Sequence, residues 1–317
     1  MAGFLSTNTD HLTRSELWSN ELIQPFEAMT FGNTYIDWIT DFPDGDTLNI
    51  PSIGQMEAQD FVEGQAVRYT AIDTGNFEFS IDTYLQSATY VSFKFLQDSY
   101  YMDRVKAQFV PMQKTAIERL IEADIMALIP NGQTSADSNT INGAKHRMVG
   151  SGLNERMTIE DFFKAKYALR KAFVPLDNLV AIVDPSVEYE ISTQPNLLNL
   201  SSANPMWEGV VATGLTTGLR FSRNIAGWDI YVSDYLKTNT ASEAIDGVTA
   251  AAGVNNIFFA ASAKPMIGAV RQAPMVMSER NKDLQREEYV TTCRYGLALK
   301  RPEAVACIVT DTDQVYA

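Results

Sequence analysis

Apolar and polar residues alternate along much of the segment 47–95, and this two-residue period predicts β-strands. Two alternating runs flank Asp73-Thr74-Gly75-Asn76, which is typical of a turn in which Gly supplies a positive φ. We therefore predict a long β-hairpin, followed by a returning strand through Val91, Phe93 and Phe95. Because such a ribbon has little core of its own, it should lie on another surface, and the simplest candidate is a neighbouring copy of the chain. The apolar positions of the two runs are Val67, Tyr69 and Ala71, then Phe77, Phe79, Ile81 and Leu85.

From about residue 102 to residue 129 the apolar period changes to three and four residues, which predicts a long amphipathic helix. With a rise of 1.5 Å per residue it would be roughly 40 Å long. Pro111 lacks an amide donor and should kink or split the helix, and Pro130-Asn131-Gly132 should end it. Aspartate in place of Leu120 or Ile121 is predicted to abolish folding. The predicted apolar face consists of Val105, Phe109, Met112, Ala116, Ile117, Leu120, Ile125, Met126 and Ile129.

Helix and strand patterns alternate beyond residue 157. Thr158 should cap a helix that carries Phe162, Phe163 and Phe173. Residues 178–183 should form a buried strand, and Asp184-Pro185 has the sequence of an N-cap followed by proline at the first helical position. Residues 239–253 are small and polar and predict a loop. Further strands are predicted at 228–232, 257–261, 267–270, 275–277, 289–299 and 304–309.

Residues 1–46 are polar and interrupted by glycine and proline, with one short helical stretch that begins near Thr13 and Glu16. This pattern is typical of an arm with one docking helix. Such an arm must find a partner surface for Trp18 and Phe26.

Composition narrows the function classes. The 317 residues carry 39 acidic and 25 basic side chains, a formal net charge of −14, which is the opposite of what tight binding to a DNA backbone requires. No run is long and apolar enough to span a membrane. Two histidines leave little material for imidazole chemistry, and Cys293 and Cys307 are interpreted as buried thiols in a reducing cytoplasm. We expect no metal and no cofactor.

Three patterns resemble catalytic or ligand-binding motifs. Asp73-Thr74-Gly75 is the tripeptide of aspartic proteases, but that chemistry needs two such loops, and a second one does not occur. The segment 214–220, Gly-Leu-Thr-Thr-Gly-Leu-Arg, lacks the Gly-Lys-Ser/Thr of a phosphate loop. Glu118 and Glu122 lie one turn apart, which favours a solvated or interface helix face over an acid pair.

The order of elements and several local sequences resemble a known family. Thr47-Leu-Asn-Ile-Pro-Ser-Ile-Gly leads into the hairpin, and Phe79-Ser-Ile-Asp-Thr-Tyr-Leu with Val91-Ser-Phe precedes the long helix. Segments 281–290 and 294–305 then form a closing pair of strands. Together they resemble the α+β capsid fold of phage Hong Kong 97, and the chain is similar to the major capsid proteins of tailed double-stranded DNA bacteriophages.

The resemblance implies a non-enzymatic subunit that assembles with itself as hexamers and pentamers. The shell would form in the host cytoplasm and become part of the virion, with only weak contact to packaged DNA. A scaffolding protein supplied in trans, a portal and an outer cement protein are the expected partners. An encapsulin-type compartment shell, and much less an aspartic-protease-like enzyme, stay open as alternatives. The implied divisions are an N-terminal arm (1–46), an E-loop (47–95), a P domain with the spine helix (96–130), an A domain (131–272) and closing P-domain strands (273–317).

Charges of both signs are mixed between Glu279 and Glu288, and two interpretations stay open. The segment is either an exposed loop or, as the resemblance implies, a P loop whose charges pair between subunits. The predicted subunit-interface residues are Trp18, Phe26, Arg68, Tyr69, Phe77, Glu78, Arg280, Lys282, Asp283, Arg286 and Glu287.

One branch of the family chains its subunits by an isopeptide bond between an E-loop lysine and a P-domain asparagine, assisted by a glutamate. Asn281 and Glu287 or Glu288 match the last two partners in position. The only lysine between residues 47 and 95 is Lys94, at the root of the ribbon, and Arg68 cannot replace it because a guanidinium stays protonated. We therefore predict a shell held by noncovalent contacts.

Overall fold

The computed structural model describes residues 32–39, 47–53, 74–98, 102–132, 139–193, 224–239, 243–245, 248–250 and 253–311, with single positions between 30 and 66. The mixed α+β class is confirmed. The helices are α1 (Phe93–Asp98), α2 (Met102–Gly132), α3 (Ile159–Lys171) and α4 (Pro185–Thr193). The strands are β1 (Asp37–Ile39), β2 (Thr47–Ile53), β3 (Thr74–Ser80), β4 (Thr83–Ser92), β5 (Thr140–Ile141), β6 (Ala144–Lys145), β7 (Arg147–Val149), β8 (Leu179–Val183), β9 (Asn224–Ile225), β10 (Trp228–Val232), β11 (Glu243–Ile245), β12 (Val248–Ala250), β13 (Gly253–Ala260), β14 (Met266–Asn281), β15 (Arg286–Leu299) and β16 (Val305–Asp311).

A four-stranded sheet with the order β1-β14-β15-β4 packs one face against α2. Ile117 of the helix is buried against Cys293 and Tyr295 of β15. Polar bonds join the same two elements: Thr291 Oγ1 donates to Gln113 Oε1 at 2.8 Å, and the Tyr295 hydroxyl donates to the Asp124 carboxylate. Burial and the bond to Asp124 raise the pKa of Tyr295 well above its usual value. Packing and hydrogen bonds together therefore determine the register of helix on sheet.

A second, six-stranded sheet has the order β7-β16-β13-β8-β10-β9 and lies between two helical layers. Phe162 and Leu169 of α3, with Val187 of α4, pack on one face. The C-terminal half of α2, including Ile125 and Ile129, packs on the other face. All five residues of β8 are buried because both faces of this strand are covered.

The caps of α3 and α4 form as predicted. The backbone N–H of Thr158 donates to Asp161 Oδ2 at 2.9 Å, which completes a capping box at the start of α3. Asp184 accepts a bond at 2.9 Å from the backbone N–H of Ser186 in the first turn of α4.

Residues 32–39 are fastened to the body of their own subunit. The Gly32 N–H donates to both oxygens of the buried Glu122 carboxylate, at 2.9 and 3.0 Å. A Cβ at residue 32 would lie only 2.9 Å from Ile125 Cγ2, so only glycine permits this approach. Downstream, β1 pairs in parallel with the start of β14. We call residues 32–39 with their Glu122 contact the clasp.

The predicted strands at Leu48 and at Phe77 and Phe79 form, but the predicted hairpin pairing is wrong, because β3 pairs antiparallel with β2 and not with a strand at 67–71 across a turn at 73–76. Leu48, Phe77 and Phe79 pack on Ile267 and Ala269 of the four-stranded sheet, on the face opposite α2. The predicted turn is wrong in position, because Thr74, Gly75 and Asn76 lie inside β3 opposite Ile53, Ser52 and Pro51. The predicted arm helix near Thr13 and the predicted strand 67–71 lie outside the described residues.

Several local predictions are wrong. Phe93 and Phe95 belong to α1 and do not continue a strand. The helix α2 is not split at Pro111 and reaches Gly132, three residues beyond the predicted end, whereas a kink at Pro111 stays a prediction. Residues 239–253 include the small hairpin β11–β12.

Burial on α2 also differs from the periodicity. Met112 and Leu120 are 48% and 50% exposed, whereas Glu122, assigned to a solvated face, is buried. The cause is that the N-terminal half of α2 packs on one sheet and its C-terminal half on another, so a single apolar face does not run the length of the helix.

Candidate assembly surfaces

The charged segment 279–288 is the end of the β14–β15 hairpin. Pairing continues regularly to Asn281 and Arg286, and residues 282–285 form the turn, so the exposed-loop interpretation is wrong for most of the segment. Asn281 Oδ1 accepts bonds from the backbone N–H groups of Asp283 and Leu284, at 3.1 and 3.2 Å. Lys282 and Asp283 are exposed on this turn, and the Asn281 side chain holds the backbone of the turn in place.

The charges of this hairpin pair within the subunit. The Arg280 guanidinium donates two bonds to Glu287 Oε1, at 2.8 and 3.2 Å, and its Cζ lies 5.0 Å from the centre of the Phe93 ring. The Arg286 Nε donates to Glu288 Oε1 at 2.6 Å. The expected role of Arg280, Arg286 and Glu287 in pairing between subunits stays a prediction, because each of them also has a partner in its own chain.

Asn281 and Glu288 stand together as an isopeptide site would require, with Asn281 Nδ2 donating to Glu288 Oε1 at 3.3 Å. The hydrogen bond and charge of Arg286 lower the pKa of Glu288, so this carboxylate is a weaker base than an unpaired one. Lys94 lies on α1, directly after the Phe93 that Arg280 covers. The described part of the chain thus has the asparagine and the glutamate, but places no lysine on the ribbon.

The other predicted interface residues divide into two groups. Phe77 is half-buried against its own four-stranded sheet, whereas Glu78 is exposed on β3 opposite Asn49. The residues Trp18, Phe26, Arg68 and Tyr69 lie outside the described part of the chain, and their interface role stays a prediction.

An apolar surface that the sequence analysis missed lies on the face of the four-stranded sheet opposite α2. Met277 of β14 pairs with Val290 of β15, which pairs with Ala88 of β4, so the three side chains share this face. The face also presents Met275, Tyr84 and Tyr90, and its large side chains are 48–64% exposed. We call this surface the outer face. The ribbon base covers its proximal end, and the Arg286 guanidinium lies over the Tyr90 ring, with Cζ 4.6 Å from the ring centre.

No group of three His, Cys, Asp or Glu side chains in the described ranges could hold a metal ion. Both cysteines are buried free thiols, and burial raises the pKa of Cys293. No helix within those ranges is long and apolar enough to cross a membrane.

Comparison with known proteins gives a consistent family. A family model described as phage capsid protein matches residues 76–308. No curated protein matches the chain significantly.

Solved phage structures share the fold. A chain from Mycobacterium phage Che8 is 17% identical, with a TM-score of 0.68 and coverage of 93% of this chain and 97% of that one. The capsid of cyanophage P-SCSP1u is 16% identical, with a TM-score of 0.72 and coverage of 95% of this chain and 93% of that one. The capsid of cyanophage Pam1 is 15% identical, with a TM-score of 0.70 and coverage of 99% of this chain and 100% of that one.

Proposed function

The chain belongs to the phage capsid protein family, and we propose that this capsid protein assembles as hexamers and pentamers into an icosahedral shell around packaged double-stranded DNA. The family and the structural neighbours point to a structural role and not to an enzymatic one. The expected divisions into arm (1–46), E-loop (47–95), P domain (96–130 and 273–317) and A domain (131–272) are part of this proposal.

The outer face is the observation that carries the proposal. Three strands present Met275, Met277, Val290 and Ala88 as adjacent apolar side chains, flanked by polar side chains such as Thr292 and Glu288, and an exposed apolar patch with a polar rim is typical of a protein contact surface. The base of the ribbon already covers the proximal end of the same face. A ribbon from a neighbouring copy would cover the remaining part with apolar side chains of the kind that the ribbon base places on the proximal end, and each copy would cover the next.

The acidic balance supports a container. A net charge of −14 repels a DNA backbone, so the genome is packed and released without adhering to the wall. A scaffolding protein, a portal and a cement protein stay expected partners, and assembly in the host cytoplasm stays the expected route to the virion.

The test places a charge on the outer face. Met277→Glu should leave a folded subunit that no longer forms shells, because an unpaired carboxylate would be buried under the neighbour's ribbon. Val276→Glu is the matched control, since Val276 is the next residue along β14, is 38% exposed and points to the opposite face.

Electron microscopy and sedimentation at micromolar concentration give the readout. We expect shells or capsomers from the wild type and from Val276→Glu, and free subunits from Met277→Glu. A wild-type protein that stays a compact 35.2 kDa monomer under all assembly conditions would contradict the proposed function.

A further inference from the structure

The six-stranded sheet has two edges that differ in charge. Strands β7, β16, β8 and β10 all run in one direction, whereas β13 runs in the opposite direction. The four parallel strands begin at one edge, which we call the amino edge, and end at the other, which we call the carboxyl edge. The helix α3 begins at the carboxyl edge, where Asp161 in its first turn accepts a bond from the Ser151 N–H, just beyond the end of β7. It ends at the amino edge, where the chain continues to the start of β8.

Basic side chains are concentrated at the amino edge. Lys166 donates through Nζ to the carbonyl of Ala226 at 2.6 Å, in the turn that precedes β10. Arg170 and Lys171 are exposed in the last turn of α3, and Arg301 is exposed just before β16. Asp177 and Glu303 are acids at the same edge, so cations are in excess there.

Acidic side chains are concentrated at the carboxyl edge. Asp184 follows β8, Glu188 lies in the first turn of α4, and Asp234 is exposed just after β10. Two cations near this edge are engaged within the subunit. Arg156 Nε lies 3.2 Å from Glu190 Oε1, and Lys237 Nζ donates to Asn131 Oδ1 at 2.7 Å.

Phe173 marks the amino edge as a contact surface. It follows the last turn of α3 with φ +58°, a left-handed position that glycine normally occupies after a helix. Phe173 is 83% exposed, and Tyr167, toward the C-terminal end of α3, is 55% exposed. The sequence analysis placed Phe173 on the helix that begins after Thr158, and this is wrong because α3 ends at Lys171 and Phe173 lies beyond it. A bulky residue that is both strained and exposed is expected where a partner binds.

We propose that the amino edge of the six-stranded sheet in one copy binds the carboxyl edge of the next copy, head to tail. This inference rests on the proposed self-assembly and adds the surfaces that meet within a capsomer. A head-to-tail contact between unlike surfaces closes into a ring when the rotation between copies allows it. A second copy is favoured over DNA because DNA would match only the basic edge, whereas a second copy matches both edges with opposite charge.

Charge reversal tests the contact. The double variant Arg170→Glu/Lys171→Glu reverses the amino edge, and Glu188→Lys/Asp234→Lys reverses the carboxyl edge. Each double variant should raise the protein concentration needed for assembly by about tenfold or more at low salt. The quadruple variant restores opposite charges across the contact and should assemble like the wild type.

Mixing the two double variants provides a stricter test. Each amino edge then matches only the carboxyl edge of the other variant, so copies must alternate around a ring. Rings with an even number of copies should form, and five-membered rings should not. Circular dichroism and thermal unfolding of each variant verify that the subunits fold.

Phe173→Gly separates folding from assembly. Glycine suits the left-handed backbone, so the melting temperature of the free subunit should rise, while assembly should weaken because an aromatic contact is lost. If the wild type assembles and both double variants assemble equally well, the head-to-tail contact is wrong although the shell function stands. A quadruple variant that folds but fails to assemble would overturn it as well. If the wild type forms no assembly, the proposed function itself fails.

Discussion

Two alanine substitutions on α2 test where the long helix is buried. Ile117 is 1% exposed and packs against Cys293 and Tyr295 of the four-stranded sheet. Leu120 lies one turn further along the helix and is 50% exposed. The two residues are isomers in almost the same sequence context, so each serves as the control of the other.

The expected losses follow from burial. Ile117→Ala removes a fully buried side chain and leaves a cavity, which costs about 2–5 kcal/mol in the free energy of unfolding. Full burial of leucine is worth about 1.5–3 kcal/mol, and Leu120 gains only half of it without enclosing a cavity, so Leu120→Ala should cost about 1 kcal/mol.

Urea unfolding of unassembled subunits, followed by circular dichroism, measures both losses, with an unchanged slope as the sign that the unfolding transition is the same. Equal losses for the two variants would refute the assignment of the buried face. The expectation that aspartate at residue 120 abolishes folding is revised accordingly: Leu120→Asp should fold, whereas Ile121→Asp should not, because Ile121 packs against two clusters. A folded Leu120→Asp that no longer assembles would identify this helix face as a subunit contact.

Three further predictions concern the clasp, acid stability and covalent linkage. Glu122→Ala removes the acceptor of the Gly32 N–H and should increase amide exchange at residues 32–39 in hydrogen-exchange measurements. Glu118→Ala is the control, because Glu118 is partly exposed. Unchanged exchange in Glu122→Ala would show that Glu122 does not hold the clasp. Burial lowers the pKa of His146 below 6.5, so below that pH the unfolded chain binds a proton that the folded chain does not. The free energy of unfolding should therefore fall as the pH drops below about 6.5, by up to about 1.4 kcal/mol per pH unit. His146→Gln should flatten that slope in melting curves between pH 7.5 and 5, and an unaltered slope would assign it to other groups. Mature virions boiled in detergent should give one band at the monomer mass, and a reductant-resistant ladder would show a covalent link that the position of Lys94 argues against.

Local patterns predicted the elements whose stabilisation is local. The capping box at Thr158 and the Asp184-Pro185 start of α4 depend on atoms within three residues, so they could be recognised in the sequence. The alternation of Phe77 and Phe79 predicted β3 because one face of that strand is buried throughout. The order of elements was likewise sufficient to indicate the capsid fold, although segments 281–290 and 294–305, expected to pair as closing strands, both run through the single strand β15.

The sequence by itself therefore determined the types of the elements, their order and the family. Only the tertiary structure decided which side of each element meets a neighbour. Glu122 has the pattern of a solvated residue, and it is buried because residue 32, ninety positions earlier, brings its N–H to the carboxylate. The outer face and the opposed charges of the two sheet edges likewise arise from strands far apart in the chain. Periodicity reports the environment along one element, whereas these surfaces depend on which distant elements the fold places side by side, and that information is not local.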